Sequence, residues 1–467
     1  MRESHADVVV LGAGPAGEVL AGALGERGVE TVLVEPRLVG GECSFYGCMP
    51  SKALLRPHEL LEEARRVPGV RELVHGEPDP QIVLDRRDEV IHELDDSVQL
   101  PWIEERDVRL LRGHGRLVGE RLVEIVDGEG RAVERIAVRR AVAIATGTRP
   151  ALPPIPGLEE VDPWTNRDAT TADEVPGRLL VLGGGPIGAE MALAWSSLGA
   201  TVTLLEGSDR ILLKEEPFAS AQVTDGLRAR GVDVRTGVRV AAAAREEGEV
   251  VVTLEGGEAL RADELLVAAG RTPNSDGLGL DAVGVEPDAR GFVGVDEGLQ
   301  VGGRDWLYAI GDVNGRALLT HQGKRQARVV AARLLEDQDA QLLGQEPDGL
   351  RSPRVTFTEP QVAAVGHTLQ SALDAGLDAE AIDAPSDGTA GASFVGKGAG
   401  GTTRFVIDRS AGVLLGATFV GAGVAEQLHA ATIAVAGRVP LHVLDASVPA
   451  FPTRTEVWLR LAARERD

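Results

Sequence analysis

Two distant segments of this chain carry the same parts in the same order, and that order restricts the fold more than any other feature. Asp7–Leu11 is a short apolar run of strand character. Gly12-Ala13-Gly14-Pro15-Ala16-Gly17 follows it, then a helical stretch from Glu18 to Arg27, then Glu30-Thr31-Val32-Leu33-Val34-Glu35. Leu179–Leu182 leads likewise into Gly183-Gly184-Gly185-Pro186-Ile187-Gly188, the helical Ala189–Ser197, and Thr201–Glu206. From first glycine to closing acid the separation is 23 residues in both units (12 to 35, 183 to 206). A dinucleotide-binding βαβ unit needs these parts in this order. Gly12, Gly14 and Gly17, and again Gly183, Gly185 and Gly188, let the backbone approach a pyrophosphate. The helix N-terminus faces the phosphate charge, and Glu35 or Glu206 accepts the ribose hydroxyls.

Glycine spacing alone would prove little. With 58 glycines in 467 residues, about one GxGxxG is expected by chance. The third match, Gly396-Lys397-Gly398-Ala399-Gly400-Gly401, runs into Thr402-Thr403-Arg404-Phe405-Val406-Ile407, a strand pattern. No helix dipole awaits a phosphate there, and the segment reads as a hairpin loop.

The two cysteines of the chain, Cys43 and Cys48, lie just after the first unit, in Gly41-Glu42-Cys43-Ser44-Phe45-Tyr46-Gly47-Cys48-Met49-Pro50-Ser51-Lys52. Random placement would set two cysteines five apart in roughly one chain in two hundred. The segment after them, Ser51 to Arg66, reads as a helix, and thiols near a helix N-terminus gain thiolate character. Two nucleotide sites with a dithiol after the first indicate one flavin site, one nicotinamide site and a redox-active disulfide. Glu206 favours NADH, because a carboxylate repels a 2′-phosphate. Arg210 lies close enough in sequence to leave NADPH open.

Composition narrows the partners. A net charge of −24 argues against nucleic acid or an anionic membrane surface. Met1–Ala6 is short and polar, unlike a cleavable signal, and Leu179–Trp195, the most apolar long stretch, holds three adjacent glycines and Glu190. No membrane span is expected. The chain reads as a cytoplasmic enzyme of about three domains, acting on a small molecule, with a catalytic rather than structural dithiol.

With these motifs in view, the whole chain resembles the class I pyridine nucleotide–disulfide oxidoreductases, the group of dihydrolipoamide dehydrogenase, glutathione reductase and mercuric reductase. Gly40–Lys52 matches the family's GG-x-C-x4-C-x-P-S-K redox motif, and Ala145-Thr146-Gly147 with Pro150 matches the stretch after the first FAD segment. Gly270-Arg271-Thr272-Pro273-Asn274 matches the return from the nicotinamide domain, and Tyr308-Ala309-Ile310-Gly311-Asp312 the second FAD motif. The resemblance implies an α/β fold with two Rossmann-like domains and an α+β C-terminal dimerisation domain. Residues 1–150 and 273–345 would form the FAD domain, 151–272 the NAD(P) domain and 346–467 the dimerisation domain of a homodimer. It also implies roles: FAD contacts for Lys52, Thr146, Gly147, Gly311 and Asp312, and a nicotinamide-side role for Gly270. Cys48 would lie nearest the flavin, Cys43 would meet substrate, and Lys52 would pair with Glu190.

The C-terminus departs from the pattern. Where such reductases carry His-Pro-Thr-x-x-Glu, this chain reads Phe451-Pro452-Thr453-Arg454-Thr455-Glu456. The family's His is supplied across the dimer as acid–base for the interchange thiol, and Phe451 cannot carry a proton, a role worth about 10²–10⁴ in rate. His442 is the nearest upstream histidine and reads as a surface or packing residue. Phe45 and Tyr46 add bulk to the redox loop. Three activities remain: reduction of an unidentified disulfide or sulfur compound; reduction of quinones or metal ions; and carbanion chemistry resembling 2-ketopropyl-coenzyme M oxidoreductase/carboxylase.

Overall fold

The computed structural model describes residues 1–337, 349 and 351–463. The expected boundary at 345/346 lies outside the described residues. The chain divides into two compact units, the first made of Met1–Pro50, Asp88–Pro150 and Arg271–Gly349, the second of Ser51–Arg87, Ala151–Gly270 and Leu350–Asp467.

In the first unit, β1 (Arg2–Leu11), α1 (Pro15–Gly25) and β2 (Thr31–Glu35) form the first βαβ motif. Both strands bury nearly every residue of their C-terminal halves, as parallel strands covered on both faces do. The sheet runs Arg109–Arg112, β2, β1, Ala132–Ile144, Leu122–Val126, His114–Gly119. Its centre is the strand Ala132–Ile144, which pairs in two ways. Its first half runs antiparallel to Leu122–Val126, and its last three residues pair in parallel with Leu307–Ala309. The short helix α2 (Gly41–Phe45) and the 19-residue helix α3 (Cys48–Arg66) follow β2.

Residues from about 104 to 140 alternate apolar and charged side chains, a pattern that suggests antiparallel strands, and they form such strands apart from Arg109–Arg112, which lies parallel to β2. The sequence carries a helical pattern over Asp88–Glu105, but no single helix runs through it. Pro80–Val90 is helical, after which His92, Glu93 and Leu94 take left-handed backbone angles, and helix reopens as a 3-10 turn at Asp96–Gln99 that leads into Leu100–Glu104. Pro101 cannot donate into a helix running through it, and the Asp95 carboxylate caps a new start by accepting from Ser97 N.

In the second unit, β3 (Arg178–Leu182), α4 (Pro186–Ser197) and β4 (Thr201–Glu206) repeat the motif. They sit in a four-stranded parallel sheet with Asp233–Thr236 and Glu264–Val267 at its edges. α4 is buried from Gly188 to Trp195, the large Trp195 ring lying in its last turn. A three-stranded antiparallel sheet (Val240–Glu246, Glu249–Leu254, Ala259–Ala262) lies within the same unit. The C-terminal region is a five-stranded antiparallel sheet, Arg354–Thr356, Gln361–Gly366, Val413–Gly421, Thr402–Asp408, Ala379–Pro385, with the helix Leu428–Ala436 on one face. Gly396–Gly401 lies in the connection between the antiparallel pair Ala379–Pro385 and Thr402–Asp408, the hairpin position expected of it.

Candidate active site

Backbone geometry explains the glycines of the first turn. Gly12 has φ +105°, and a Cβ there would lie 2.4 Å from Ala145 O; a Cβ on Gly17 would lie 1.9 Å from Gly12 O. Both positions therefore exclude a side chain. Gly14, the N-cap of α1, has no side-chain cap and open space beside it. Uncapped N–H groups facing open space suit a pyrophosphate. Glu35 closes the turn, its carboxylate accepting from Ala13 N at 2.9 Å and Arg37 N at 2.8 Å, while burial pushes it above the usual carboxylate range.

The remaining flavin-side residues form one network in the same unit. Thr146 Oγ1 donates to Asn274 O at 2.7 Å, and Asn274 donates back through its backbone N to Gly147 O and through Nδ2 to Thr146 O. Thr148 Oγ1 donates to Asp312 at 3.1 Å, and Arg271 donates to both Thr148 Oγ1 and Thr148 O. Burial raises the Asp312 carboxyl. Gly311 has φ +75° and donates its N–H to Gln326. These residues fit FAD: a phosphate cradle, a ribose acid and a buried Asp on the second motif.

The dithiol is carried by α2 and the first residue of α3. Cys43 is half-buried and Cys48 exposed, both as free thiols. Cys48 Sγ lies 3.4 Å from Thr320 Oγ1, at the start of the helix Thr320–Leu334. Of the two thiols, Cys43 is the one held protonated. Its hydrogen bond with Cys48, reinforced by desolvation, pushes its thiol up, and Thr320 and Lys324 only partly oppose that. Phe45 is fully buried, its ring edge against Gly40.

In the second unit the turn is repeated. Gly183 has φ +113°, a Cβ on Gly188 would lie 1.9 Å from Gly183 O, and Gly185 is an uncapped N-cap beside open space. Glu206 accepts from Gly184 N at 2.7 Å and Ser208 N at 2.8 Å. Arg210 does not reach toward the ribose acid; its guanidinium donates to the carbonyls of Leu212, Leu213 and Glu215. Gly270 has φ +141° and accepts from Ala151 N. Lys52, one turn along α3 from Cys48, pairs with Glu190 at 2.6 Å and lies over the Phe357 ring, while Phe357 N donates to Glu190 at 2.9 Å.

The C-terminal motif is also in this unit. Glu456 caps a turn, accepting from Thr453 N at 3.3 Å and Gly391 N at 3.2 Å. Phe451 is 77% exposed, and Val448 beside it 87%. His442 is exposed on the helix Leu441–Ala446.

Residues 6–331 match the family described as pyridine nucleotide-disulphide oxidoreductase, and residues 352–462 match its dimerisation domain. The chain belongs to this family. It is 32% identical over 466 residues to a dihydrolipoyl dehydrogenase of Haloferax volcanii, covering 98% of this chain and 95% of that one. It is 31% identical to a mercuric reductase of Staphylococcus aureus, covering 99% and 82%. Among solved structures, the Cu(II) complex of the HOCl-induced flavoprotein disulfide reductase RclA from Escherichia coli superposes with a TM-score of 0.85 at 25% identity, covering 98% of this chain and 99% of RclA. LpdA from Mycobacterium tuberculosis gives 0.85 at 25% identity, with both chains covered in full.

The protein is therefore a flavoprotein disulfide oxidoreductase of the lipoamide dehydrogenase, mercuric reductase and RclA type. It uses FAD and NAD(P)H and carries the dimerisation domain of a homodimeric family. Among the described residues, no helix is long and apolar enough to cross a membrane, and no His/Cys/Asp/Glu cluster could hold a metal ion. Sequence reasoning missed Thr320, which meets Cys48, and Phe357, which meets Lys52 and Glu190; both lie far along the chain from the groups they touch.

Proposed function

We propose that this cytoplasmic homodimer reduces a small disulfide or sulfur compound with electrons drawn from NADH. The division into an FAD domain (1–150 and 273–345), an NAD(P) domain (151–272) and a dimerisation domain (346–467) belongs to this reading. The observation that carries it is the Cys43–Cys48 dithiol on α2 and α3, with the Thr320 hydroxyl on Cys48. Bound FAD supplies two-electron transfer between nicotinamide and dithiol. Gly12, Gly14, Gly17 and Glu35 would hold its adenosine diphosphate end, and Thr146, Gly147, Gly311 and Asp312 the rest of it; Lys52, paired with Glu190, is the redox-motif lysine that the family pattern assigns to FAD. Gly183, Gly185, Gly188 and Glu206 hold NADH, with Gly270 at the domain return. NADH is preferred over NADPH because Glu206 carries the ribose site and Arg210 is engaged on three carbonyls.

Cys43 is the interchange thiol and Cys48 the thiolate nearest the flavin. Phe451 and Glu456 complete the neighbouring subunit's site, Phe451 as an apolar wall without a proton and Glu456 as the anchor of its turn. Anaerobic addition of NADH to wild type should produce a long-wavelength thiolate-to-flavin absorbance band and support reduction of hydroxyethyl disulfide. Cys43→Ser should keep NADH-reducible flavin and lose the disulfide activity. Flavin bleaching without the band, together with no disulfide turnover, overturns the reading.

A second reading has one supporting observation. RclA, similar over nearly the whole chain, has been solved as a Cu(II) complex, and the exposed Cys48 offers a soft ligand to a metal-ion acceptor. Cu(II)-dependent NADH oxidation that persists where disulfides fail would favour it.

A further inference from the structure

Glu42 stands directly before Cys43, where a carboxylate is costly. Gly40 N donates to Ala13 O at 2.8 Å, and a Cβ on Gly41 would lie 2.9 Å from Gly14 Cα, so the lead-in to α2 lies against the N-cap of α1. Consecutive Cα atoms are about 3.8 Å apart, which brings the Glu42 backbone within about 8 Å of that N-cap. The uncapped N–H groups there suit the negative charges of a flavin diphosphate, and an anion carried so close opposes them. Asp312, on the second FAD motif, adds another carboxylate to the same unit.

Arg271 stands between these two acids. It opens the strand Arg271–Pro273, which pairs antiparallel with Thr148–Pro150. Its Nε donates to Thr148 Oγ1 at 2.9 Å and its Nη2 to Thr148 O at 2.8 Å. Having accepted from Arg271, Thr148 Oγ1 donates to Asp312 at 3.1 Å. Arg271 Nη2 also lies 3.6 Å from Glu42 Oε2, and the two side chains are only 17% and 25% exposed, so water screens the pair little. The three charges act on one another. Burial raises the Asp312 carboxyl, the Thr148 hydroxyl and the Arg271 charge oppose that rise, and the Glu42 charge adds to it.

We propose that Arg271 is the counter-charge that lets the first unit hold FAD: its guanidinium balances Glu42 beside the phosphate turn and, through Thr148, orients Asp312. This rests on the proposed placement of FAD at the α1 turn and not on the identity of the electron acceptor. Removing one partner of a largely buried ion pair leaves the other charge without that balance, and this costs more than the pair is worth. With Arg271 gone, the Glu42 charge would act against the diphosphate. With both gone, repulsion and attraction disappear together. That rescue separates a balance of charge from simple support of the strand.

The test compares the FAD affinity of the purified dimer in wild type, Arg271→Met, Glu42→Gln and the double variant. Affinity is read from the flavin fluorescence released on dilution of the holoenzyme, with circular dichroism as the check on folding. Arg271→Met should bind FAD about 10²-fold more weakly, and the deficit should shrink at high salt, which screens like charges. Glu42→Gln should hold FAD at least as tightly as wild type. The double variant should return to within about tenfold of wild type. A double variant no tighter than Arg271→Met, or a Glu42→Gln that sheds FAD, overturns the charge balance and leaves the FAD placement intact. If Arg271→Met does not fold, the other two decide: FAD held by both supports the proposal, and FAD lost from either overturns it. Gly17→Ala that keeps its full FAD overturns the placement and the proposal together.

Discussion

Gly17 and Gly188 each sit where a Cβ would lie 1.9 Å from a carbonyl oxygen, and Gly12 and Gly183 each take φ above +100° against the carbonyl of an alanine, Ala145 or Ala268. Around this shared backbone the side chains diverge. In the first turn the acid follows the third glycine directly, as Glu18; in the second, fully buried Ala189 takes that place and the acid comes one residue later, as Glu190. One residue is about 100° around a helix, so the two carboxylates leave their helices in different directions. Glu190 meets Lys52 and the Phe357 N–H and is held as an ion pair. Glu18 meets desolvation and a more distant ammonium, and titrates near neutrality. Pyrophosphate binding dictates the backbone of such a turn; the residue after it is free to acquire chemistry.

The comparison is broken or sharpened by a graded set of variants. Gly17→Ala and Gly188→Ala face the same clash, and the largest effect is expected here. Gly17→Ala should yield protein with little or no FAD, whereas Gly188→Ala should keep FAD and lose NADH-driven bleaching by more than about 10²-fold; flavin absorbance and stopped-flow reduction separate the two. Equal FAD loss in both would show that the turns are not independent. Lys52→Met leaves Glu190 unpaired and should slow flavin bleaching by NADH about 10- to 100-fold, and unchanged bleaching would make the pair merely structural. Glu206→Gln removes the charge that repels a 2′-phosphate and should narrow the NADH-over-NADPH preference in kcat/KM about tenfold. A preference that does not move would shift the discrimination elsewhere.

The smallest effect concerns stability. The Glu18 carboxyl lies above its unfolded value, so the folded state binds the extra proton. Its favourable contribution is complete below about pH 4.5 and is lost as pH rises through about 7. Glu18→Gln should therefore unfold a few degrees higher than wild type at pH 8, and the two should converge toward pH 4.5. A constant offset across that range would argue that Glu18 does not titrate there.

Both βαβ units were legible because each is local. Strand, glycine turn, helix and acid follow within 30 residues or so, and their observed bounds extend the expected ones by a few residues at most, apart from the longer start of β1 at Arg2. The break at His92–Leu94 was written in Asp95 and Pro101, signals that a helical pattern over Asp88–Glu105 overrode. Glu18 and Cys43 were opaque for a different reason. Desolvation raises the one carboxyl and Cys48 holds the one thiol, while Lys324 and Thr320, on a helix some three hundred residues along the chain, oppose both. The engagement of Arg210 was hidden likewise, since sequence proximity to Glu206 does not reveal that its guanidinium donates to backbone carbonyls.

The double pairing of the strand Ala132–Ile144 sets an order of events during synthesis. The parallel sheet of the second unit is complete once Val267 has been made, from strands that begin at Arg178. The sheet of the first unit begins with Arg2 yet lacks a strand until Leu307–Ala309 can dock on Val142–Ile144. A nascent chain thus carries an unfinished edge through the translation of residues 151–270, and the parallel sheet encoded later can close before the one encoded first.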